Sequence, residues 1–383
     1  MSSLPHVAVV GAGSFGGWTA LRLRERGCRV TLVDAWGPGN ARASSGGETR
    51  IIRGIYGPDR IYVQWAARSF DAWREAERRW SIPLWYPLYH PTGALWLCAP
   101  GEDGYVRSSL PLLEEAGLSA GEIGLEEARK RFPQVSFDGI ASVFFEKTAG
   151  YLMARRACRV LARVAAGVAG EVLEMEVEPG PVRNGRMVVA GLEADAYVFA
   201  CGPWLPNLFP EVRVRPTRQE VCFFGTPPGF LRGLPVWIEL GERNFYGIPG
   251  NDHRGFKIAD DTRGEPFDPT SGDRVPTPEG MERARRHLAF RFPSLAGAPL
   301  LESRVCQYEN SPDGHFLIDR HPEASNVWIA GGGSGHGFKL GPAVGEHVAA
   351  LVLGEEEPLP LFRLDRPVNS IGTSIKTQFT TEP

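Results

Sequence analysis

The sequence predicts an α/β protein, α+β overall, in which a parallel βαβ unit is combined with a mainly antiparallel region. Three observations lead to this prediction: an apolar run that enters a glycine-rich turn and a helix, a return strand that ends in an acidic residue, and a change to shorter elements after about residue 86. The 383 residues suffice for two domains. Because the net charge is only −3, we expect no nucleic acid and no membrane as partners.

The βαβ unit occupies the first 34 residues. The apolar run Val7–Val10 is typical of a buried strand, Trp18–Arg26 is predicted to be a helix that stops at Gly27, and Arg29–Val33 is predicted to be the second strand.

The turn of this unit carries the spacing of a dinucleotide-binding motif. Gly11 permits a tight turn, Gly13 lets the backbone approach a pyrophosphate, and Gly16 lets the helix pack closely on the strand. Asp34 ends the second strand, where a carboxylate binds ribose hydroxyls. The pattern predicts a Rossmann-like nucleotide domain, but by itself it does not distinguish FAD from NAD.

The remaining elements follow without a linker that would separate two contiguous domains. Helices are predicted at about 62–79, 111–116, 153–166, 278–292 and 340–353. Strands are predicted at 94–98, 196–200, 221–224, 236–240 and 326–330, and residues 37–49 are predicted to be a loop.

Two later glycine-rich turns resemble the first. Gly202 and Trp204 follow the strand at 196–200, and the run 331–337 precedes the last helix. Backbone N–H groups at a helix N-terminus stabilise negative charge, so either turn is suited to a nucleotide or a reduced flavin. An ordinary strand–helix turn is the alternative in both cases.

Arginine and cysteine supply further candidates. Arg50 and Arg53 are three residues apart, which suits anion binding as well as a solvated pair. On the residues alone, Cys306 reads as an ordinary buried cysteine. The six cysteines form no CxxC pair and no metal-ligand spacing, so we expect free thiols, no metal and a cytoplasmic location. No signal-peptide pattern and no membrane-length apolar run is visible.

Taken together, these motifs resemble the monomeric sarcosine oxidase and N-methyltryptophan oxidase family of the D-amino-acid-oxidase superfamily. The resemblance covers roughly residues 5–367. The matching segments are Val10-Gly-Ala-Gly-Ser-Phe-Gly16, Leu32-Val-Asp-Ala35, Thr49-Arg-Ile-Ile-Arg53, Tyr246-Gly-Ile-Pro249, Gly255-Phe-Lys257, Cys306-Gln-Tyr308, Asp313-Gly-His-Phe-Leu-Ile-Asp319-x-His-Pro322 and Ser334-Gly-His-Gly-Phe-Lys339.

The resemblance implies a role for each matching residue. Cys306 matches a cysteine bonded to the flavin, Arg53 and Lys339 match the pair that binds the substrate carboxylate, and Lys257 matches the lysine that activates oxygen. The full set comprises catalytic Lys257, Arg50, His336 and Tyr308; substrate-binding Arg53, Lys339, Asp261, Phe245 and Tyr246; and cofactor-binding Gly11, Gly13, Ser14, Phe15, Gly16, Asp34, Ser44, Thr49, Arg50, Val177, Gly202, Trp204, Cys306, Gly333, Gly335, Gly337 and Lys339.

Three positions depart from the family pattern. Asp261 stands where a histidine is usual, which suggests a changed substrate preference. The loop 44–47 reads Ser-Ser-Gly-Gly where histidines linked to flavin attachment are usual, although Cys306, through which the resemblance implies attachment, is present. Phe245 replaces a frequent tyrosine.

The resemblance implies an FAD-dependent oxidase of a secondary amino acid, N-methyl or cyclic, that yields an imine and hydrogen peroxide with molecular oxygen as acceptor. A dehydrogenase that passes electrons to a quinone or carrier, and a non-catalytic flavin-binding module, are the alternatives. We expect a monomer. Residues 1–85, 145–215 and 301–367 are assigned to an FAD-binding domain, 86–144 and 216–300 to a mainly antiparallel substrate domain, and 368–383 to a C-terminal tail.

Overall fold

The computed structural model describes residues 4–83, 86–167, 172–251 and 253–367, so the assigned tail 368–383 lies outside the described residues. The strands, in chain order, are β1 His6–Val10, β2 Arg29–Asp34, β3 Arg50–Ile52, β4 Tyr89–His90, β5 Ala94–Cys98, β6 Ala120–Ile123, β7 Ser142–Glu146, β8 Gly150–Leu152, β9 Val172–Glu174, β10 Val182–Arg183, β11 Arg186–Met187, β12 Ala196–Phe199, β13 Arg215–Phe224, β14 Val236–Leu240, β15 Phe245–Ile248, β16 Phe256–Asp260, β17 Leu300–Asn310, β18 Leu317–Arg320 and β19 Val327–Gly331. The helices are α1 Ser14–Glu25, α2 Arg60–Arg79, α3 Gly104–Glu115, α4 Leu125–Arg131, α5 Ala154–Ala166, α6 Leu205–Leu208, α7 Pro278–Arg291 and α8 Gly341–Leu353.

The first sheet has six strands in the order β18-β19-β12-β1-β2-β9. Its strands pair in parallel except for the edge strand β18, which is antiparallel to β19. The strands β1 and β12 are buried almost throughout, as expected for a parallel sheet covered on both faces. The predicted α/β fold with a Rossmann-like unit is confirmed, because β1, α1 and β2 form the βαβ unit at its centre.

Close packing holds α1 between this sheet and two helices. A Cβ atom on Gly17 would lie 2.7 Å from Leu161 of α5, and one on Gly345 of α8 would lie 2.5 Å from the backbone of Trp18. Glycine at these contacts lets three helices approach one another over the sheet. Because β1, β2, β12 and β19 are parallel, their carboxyl ends lie at the same edge of the sheet. This is the edge at which α/β folds bind ligands.

The second sheet has eight strands in the order β17-β13-β16-β15-β14-β5-β7-β6. It is antiparallel except for the β5–β14 pair. The strand β17, which includes residues 301–310, pairs along its length with β13, although the sequence assigned it to the FAD-binding segments. A three-stranded antiparallel sheet, β3-β8-β4, carries Arg50 beside Leu152. The division into domains stays a prediction.

Two helices begin earlier than predicted. α1 begins at Ser14 and not at Trp18, because the second half of the glycine turn is already helical. α3 begins at Gly104, so Pro111 lies inside the helix and not at its start. Proline favours a first helical turn, which explains the error at α3. Among the described residues, no helix is long and apolar enough to span a membrane.

Candidate active site

The glycine turn after β1 forms one end of a long pocket. Gly11 has φ +104°, a conformation that favours glycine, and a Cβ atom on Gly16 would lie 1.8 Å from the carbonyl oxygen of Gly11. The N-terminus of α1 has no side-chain cap and no acidic residue in its first turn. Its positive end is thus left facing the pocket that Gly13, Ser14 and Phe15 line.

Asp34 lies at the same end of the pocket. Its Oδ2 accepts the Ala12 N–H at 2.8 Å, and its Oδ1 accepts the Trp36 N–H at 3.0 Å. Burial raises the pKa of Asp34, although these hydrogen bonds oppose the change. The turn and the carboxylate therefore stand in the arrangement that the sequence predicted for a nucleotide.

The pocket contains about 1190 Å³ of empty space, part of it open to solvent, and joins both glycine-rich turns to the first. The predicted cofactor residues that line it are Gly11, Gly13, Ser14, Phe15, Asp34, Ser44, Arg50, Val177, Gly202, Trp204, Gly333, Gly335 and Gly337. The other predicted cofactor residues, Gly16, Thr49, Cys306 and Lys339, are not among its lining residues. Residues that the sequence did not indicate also line it, among them Trp36, Asn40, Ser45 and Glu309.

This pocket fits FAD by its own features. It joins an uncapped helix N-terminus, suited to a pyrophosphate, to a buried carboxylate, suited to ribose hydroxyls. It then continues to a second cluster of polar side chains. A Cβ atom on Gly335 would lie 2.8 Å from the ring of Tyr308, so glycine keeps this end open as well.

Arg50 and Cys306 meet where the pocket reaches the second sheet. Nη2 of Arg50 lies 3.3 Å from the Cys306 Sγ and also donates to the carbonyl of Ser44. Nη1 of Arg50 donates to the carbonyl of Thr49 at 2.8 Å. The guanidinium lies directly over Gly47, where a Cβ atom would come within 2.5 Å of it. Arg50 therefore links the loop 44–49 to Cys306 on β17.

Lys257 approaches the same cluster from β16. It is 3% exposed, and its Nζ donates to the carbonyl of Thr49 at 3.2 Å and lies 5.7 Å from the ring centre of Tyr246. Burial, followed by the positive charge of Arg50, lowers the pKa of Lys257 to about 7. The ammonium is therefore easily deprotonated unless a negative charge comes near it.

Arg53 and Lys339 are brought together around the ring of Tyr56. The Arg53 guanidinium lies 4.5 Å from the ring centre, and the Lys339 Nζ donates to the Tyr56 hydroxyl at 3.1 Å and to the carbonyl of His336 at 2.9 Å. Burial and then the charge of Arg53 lower the pKa of Lys339 well below its ordinary value. Among the described residues, neither cation forms an ion pair, so this pair is suited to an incoming carboxylate. Tyr56 was not predicted, since nothing in the sequence around it marks a site.

His336 lies beneath this pair. Its Nε2 lies 2.9 Å from the carbonyl of Gly314, so that nitrogen carries the proton, and its buried Nδ1 has no partner within the described ranges. Its ring stacks on Phe316 at 4.9 Å. Burial, followed by the charge of Lys339, lowers the pKa of His336 well below its usual value. The imidazole is therefore neutral and offers one free acceptor.

Tyr308, which lines the pocket, forms a hydrogen-bonded pair with Asp261. The Tyr308 hydroxyl donates to Oδ1 of Asp261 at 2.6 Å. Burial raises the pKa of Asp261 to about 6, although the hydrogen bond from Tyr308 opposes the change. Burial and then Asp261 raise the pKa of Tyr246, so that phenol stays neutral beside the pair.

Phe245 is the one predicted substrate residue that the structure does not bring to this group. Side chains alternate across β15, so Phe245 and Tyr246 point to opposite faces of the sheet. Phe245 stacks on His287 at 3.7 Å, within the core on the far face. The structure therefore does not bring Phe245 to the other predicted substrate residues, and its assignment as a substrate contact stays a prediction.

Comparison of the sequence with protein-family models also indicates an FAD-binding protein. The family model described as FAD dependent oxidoreductase, DAO, matches residues 6–351. The chain belongs to this family. It is accordingly an FAD-dependent oxidoreductase, with both the βαβ unit and the second sheet inside the matched range.

Several curated relatives match nearly the whole chain. Monomeric sarcosine oxidase from Bacillus sp. (strain B-0618) is 32% identical over 391 residues, which cover 96% of this chain and 97% of the relative. N-methyl-L-tryptophan oxidase from Salmonella heidelberg is 26% identical over 383 residues, which cover 94% of this chain and 98% of the relative. The predicted resemblance to this family of FAD-dependent oxidoreductases is confirmed.

Solved structures show the same fold. L-proline dehydrogenase from P. horikoshii matches with a TM-score of 0.80 at 23% identity, over 96% of this chain and 98% of that one. Amadoriase II, the fructosamine oxidase of Aspergillus fumigatus, matches with a TM-score of 0.77 at 23% identity, over 96% of this chain and 91% of that one. These two likenesses concern the fold alone.

Proposed function

We propose that this FAD-dependent oxidoreductase is an oxidase of a secondary amino acid, N-methyl or cyclic, that yields an imine and hydrogen peroxide. The observation that carries the proposal is the buried pair Arg53 and Lys339, which lie around Tyr56 without a carboxylate partner among the described residues. Within that part of the chain, no salt bridge holds either side chain, and the buried carboxyl groups of Glu146 and Asp261 act on them only at longer range. A substrate carboxylate in direct contact would therefore stabilise the pair. The relatives named sarcosine oxidase and N-methyl-L-tryptophan oxidase support the same substrate class.

Carboxylate binding at this pair would orient the substrate. In an α-amino acid the amine lies only two bonds from the carboxylate carbon. When the carboxylate contacts Arg53 and Lys339, the amine would therefore lie in the space bordered by the hydrogen-bonded pair Tyr308 and Asp261. Asp261, with its pKa near 6, is an anion above that pH and would attract the protonated amine or accept its proton. Oxidation needs a neutral amine, so proton removal at Asp261 prepares the substrate.

Bound FAD would supply the two-electron acceptor, and the chain would hold and tune it. Gly11, Gly13 and the N-terminus of α1 would hold the pyrophosphate, and Asp34 the ribose. Arg50 would stand beside the flavin together with Cys306. We propose attachment of the flavin through Cys306, supported by the contact of 3.3 Å between its Sγ and Arg50.

Lys257 supports oxygen as the electron acceptor. A buried ammonium stabilises the negative charge that develops on oxygen as it is reduced. The opposing candidate is a dehydrogenase that delivers electrons to a carrier, and the fold match to L-proline dehydrogenase is the observation that keeps it open. We further propose that the protein acts as a monomer in the cytoplasm.

Anaerobic mixing of the purified yellow protein with a panel of amines tests the substrate class. The panel is sarcosine, N-methyltryptophan, proline and pipecolate, with dimethylamine as a matched amine that lacks a carboxylate. We expect one or more amino acids to bleach the flavin absorption band and dimethylamine to leave it unchanged. If dimethylamine bleaches the band as fast as the amino acids, the carboxylate pair is not the binding element and the proposal fails.

Aerobic turnover with the same substrate separates the two acceptors. An oxidase consumes oxygen and forms hydrogen peroxide in equal amounts, which an oxygen electrode and a peroxidase-coupled assay measure. Turnover that requires an added quinone, with little oxygen consumed, would instead establish the dehydrogenase.

A further inference from the structure

Glu309 is an acidic side chain in the cofactor pocket that no predicted role explains. It lies on β17 next to Tyr308, and its side chain lines the pocket between two of the glycine-rich turns. A Cβ atom on Gly333 would lie 2.6 Å from its Oε1, and one on Gly202 would lie 3.2 Å from its Oε2. Glycine at both positions leaves room for this carboxyl group.

The hydrogen bonding of Glu309 is incomplete. The backbone N–H of Gly333 is the donor that faces the carboxyl group, while Oε2 is sealed from solvent and has no partner among the residues that the structure describes. Burial raises the pKa of Glu309 to about 7. A buried carboxylate without a cation is costly, whereas a neutral carboxyl group needs only one further partner, an acceptor for its O–H.

In the part of the chain that the structure describes, no cationic side chain pairs with Glu309. The facing turn carries Cys201, whose thiol has its pKa raised by burial and then by Asp34 and Glu309. Arg218, on the paired strand β13 and two residues from the position opposite Glu309, is held by Glu220 at 3.1 Å. Asp34 adds negative charge at the far end of the pocket. Negative charge on Asp34 or Cys201 disfavours the ionised form of Glu309. Arg218 is already paired with Glu220 and does not stabilise it.

We propose that Glu309 is a further cofactor-binding residue, whose neutral carboxyl group accepts the Gly333 N–H and donates its O–H to an oxygen atom of bound FAD. The inference rests on the assignment of this pocket to FAD, and it holds whichever amine is oxidised. Because the neutral form is the one that binds, FAD binding takes up a proton at this site. Affinity for FAD therefore falls as the pH rises above the pKa of Glu309 in the FAD-free protein.

The test compares FAD affinity at pH 6 and pH 8.5 by fluorescence quenching on full-length protein freed of FAD. Cys306→Ala is the background, so that binding is reversible, and Cys306→Ser replaces it if the first background does not fold by circular dichroism. In this background we expect the dissociation constant to rise about tenfold or more between the two pH values. Adding Glu309→Gln, which keeps a donor and an acceptor but cannot ionise, should reduce that change to less than twofold.

Two further variants complete the design. Glu309→Ala removes both hydrogen bonds and should weaken FAD binding about fivefold or more at pH 6. Glu357→Gln, on an exposed residue, should behave as the background does. The proposal is overturned if Glu309→Gln keeps the full pH dependence or if Glu309→Ala binds FAD as tightly as the background. Since no substrate is present, failure of the proposed oxidase activity would not change this result.

Discussion

The two ends of the pocket are built in opposite ways. The nucleotide end consists of backbone and glycine, with Gly11, Gly13 and the start of α1 following each other in the chain. The catalytic group beside the other end consists of buried charged side chains. Among them, Lys257 and Lys339 do not line the pocket itself and come from segments more than eighty residues apart. One end binds charge with helix dipoles and N–H groups, and the other with ionisable groups whose pKa values burial has shifted.

This difference predicts which kind of substitution inactivates each end of the pocket. Added volume should destroy the nucleotide end, because its function depends on backbone approach. A change of charge should impair the catalytic end while the fold and the bound FAD persist. The following variants test this contrast, beginning with the largest expected effect.

Gly16→Ala should abolish FAD binding. Its Cβ atom would lie 1.8 Å from the carbonyl oxygen of Gly11, so α1 must move away from β1 and the turn must open. The visible spectrum of the purified protein should lack the flavin band. Gly104→Ala is the matched control, since nothing lies within 4 Å of its added Cβ atom at the start of α3. A yellow Gly16→Ala protein with normal FAD content would contradict the close-packed turn.

Lys257→Met should slow reoxidation by oxygen about a hundredfold or more, while reduction by substrate changes little. The side chain keeps its bulk and loses the buried ammonium that contacts the Thr49 carbonyl. Stopped-flow measurement of the two half-reactions separates the effects. Lys130→Met, on an exposed helical residue, is the control. Equal slowing of both half-reactions would remove Lys257 from the oxygen step.

The pH dependence of the oxygen reaction follows from the same residue. The pKa of Lys257 is lowered to about 7, so its ammonium is present below that pH and is lost as the pH rises. Reoxidation of the unaltered enzyme should therefore slow with increasing pH, with a midpoint at or above 7, because negative charge on a reduced cofactor raises this pKa. Lys257→Met should show no such dependence.

The nucleotide end could be predicted from the residues themselves. The spacing of Gly11, Gly13 and Gly16, followed by Asp34, has a physical reason at each position, and the structure places all four as expected at the turn. Local motifs of this kind are readable because neighbours in the chain are neighbours in space. The fold class followed for the same reason.

The catalytic end could not be derived in this way. Lys257 and Lys339 are isolated in the sequence, and only the family resemblance gave them roles. Arg53 was noted beside Arg50 as a candidate for anion binding, but its role toward the substrate carboxylate also came from the resemblance. Tyr56 and Glu309 were missed, because a tyrosine between two cations and a carboxyl group without a partner are recognised only by contacts across distant segments. Phe245 was placed at the site because relatives often carry a tyrosine there, whereas strand alternation turns its side chain away from that of Tyr246.

Asp261→Asn should alter substrate binding by about tenfold and remove one pH dependence. The pKa of Asp261 is raised to about 6, so the carboxyl group is neutral below that pH and an anion above it. For a substrate bound as the ammonium form, KM in the unaltered enzyme should fall as the pH rises through about 6. KM of Asp261→Asn should stay level over the same range. Parallel pH profiles for the two proteins would contradict a contact between Asp261 and the amine.

Phe245→Tyr should have the smallest effect on catalysis, because the side chain faces away from Lys257 into the far core. Its ring stacks on His287 at 3.7 Å and is 4% exposed, so an added hydroxyl must find a partner there or lower the stability of the fold by about 1–3 kcal/mol. We expect kcat/KM to stay within twofold while the thermal unfolding temperature falls. Tyr246→Phe, one residue along on the opposite face and near Lys257, should show the reverse: a changed kcat/KM with little loss of stability. A changed substrate preference in Phe245→Tyr would instead show that this face of β15 also acts on the substrate. It would contradict the assignment of Phe245 to the core and of Tyr246 to the site.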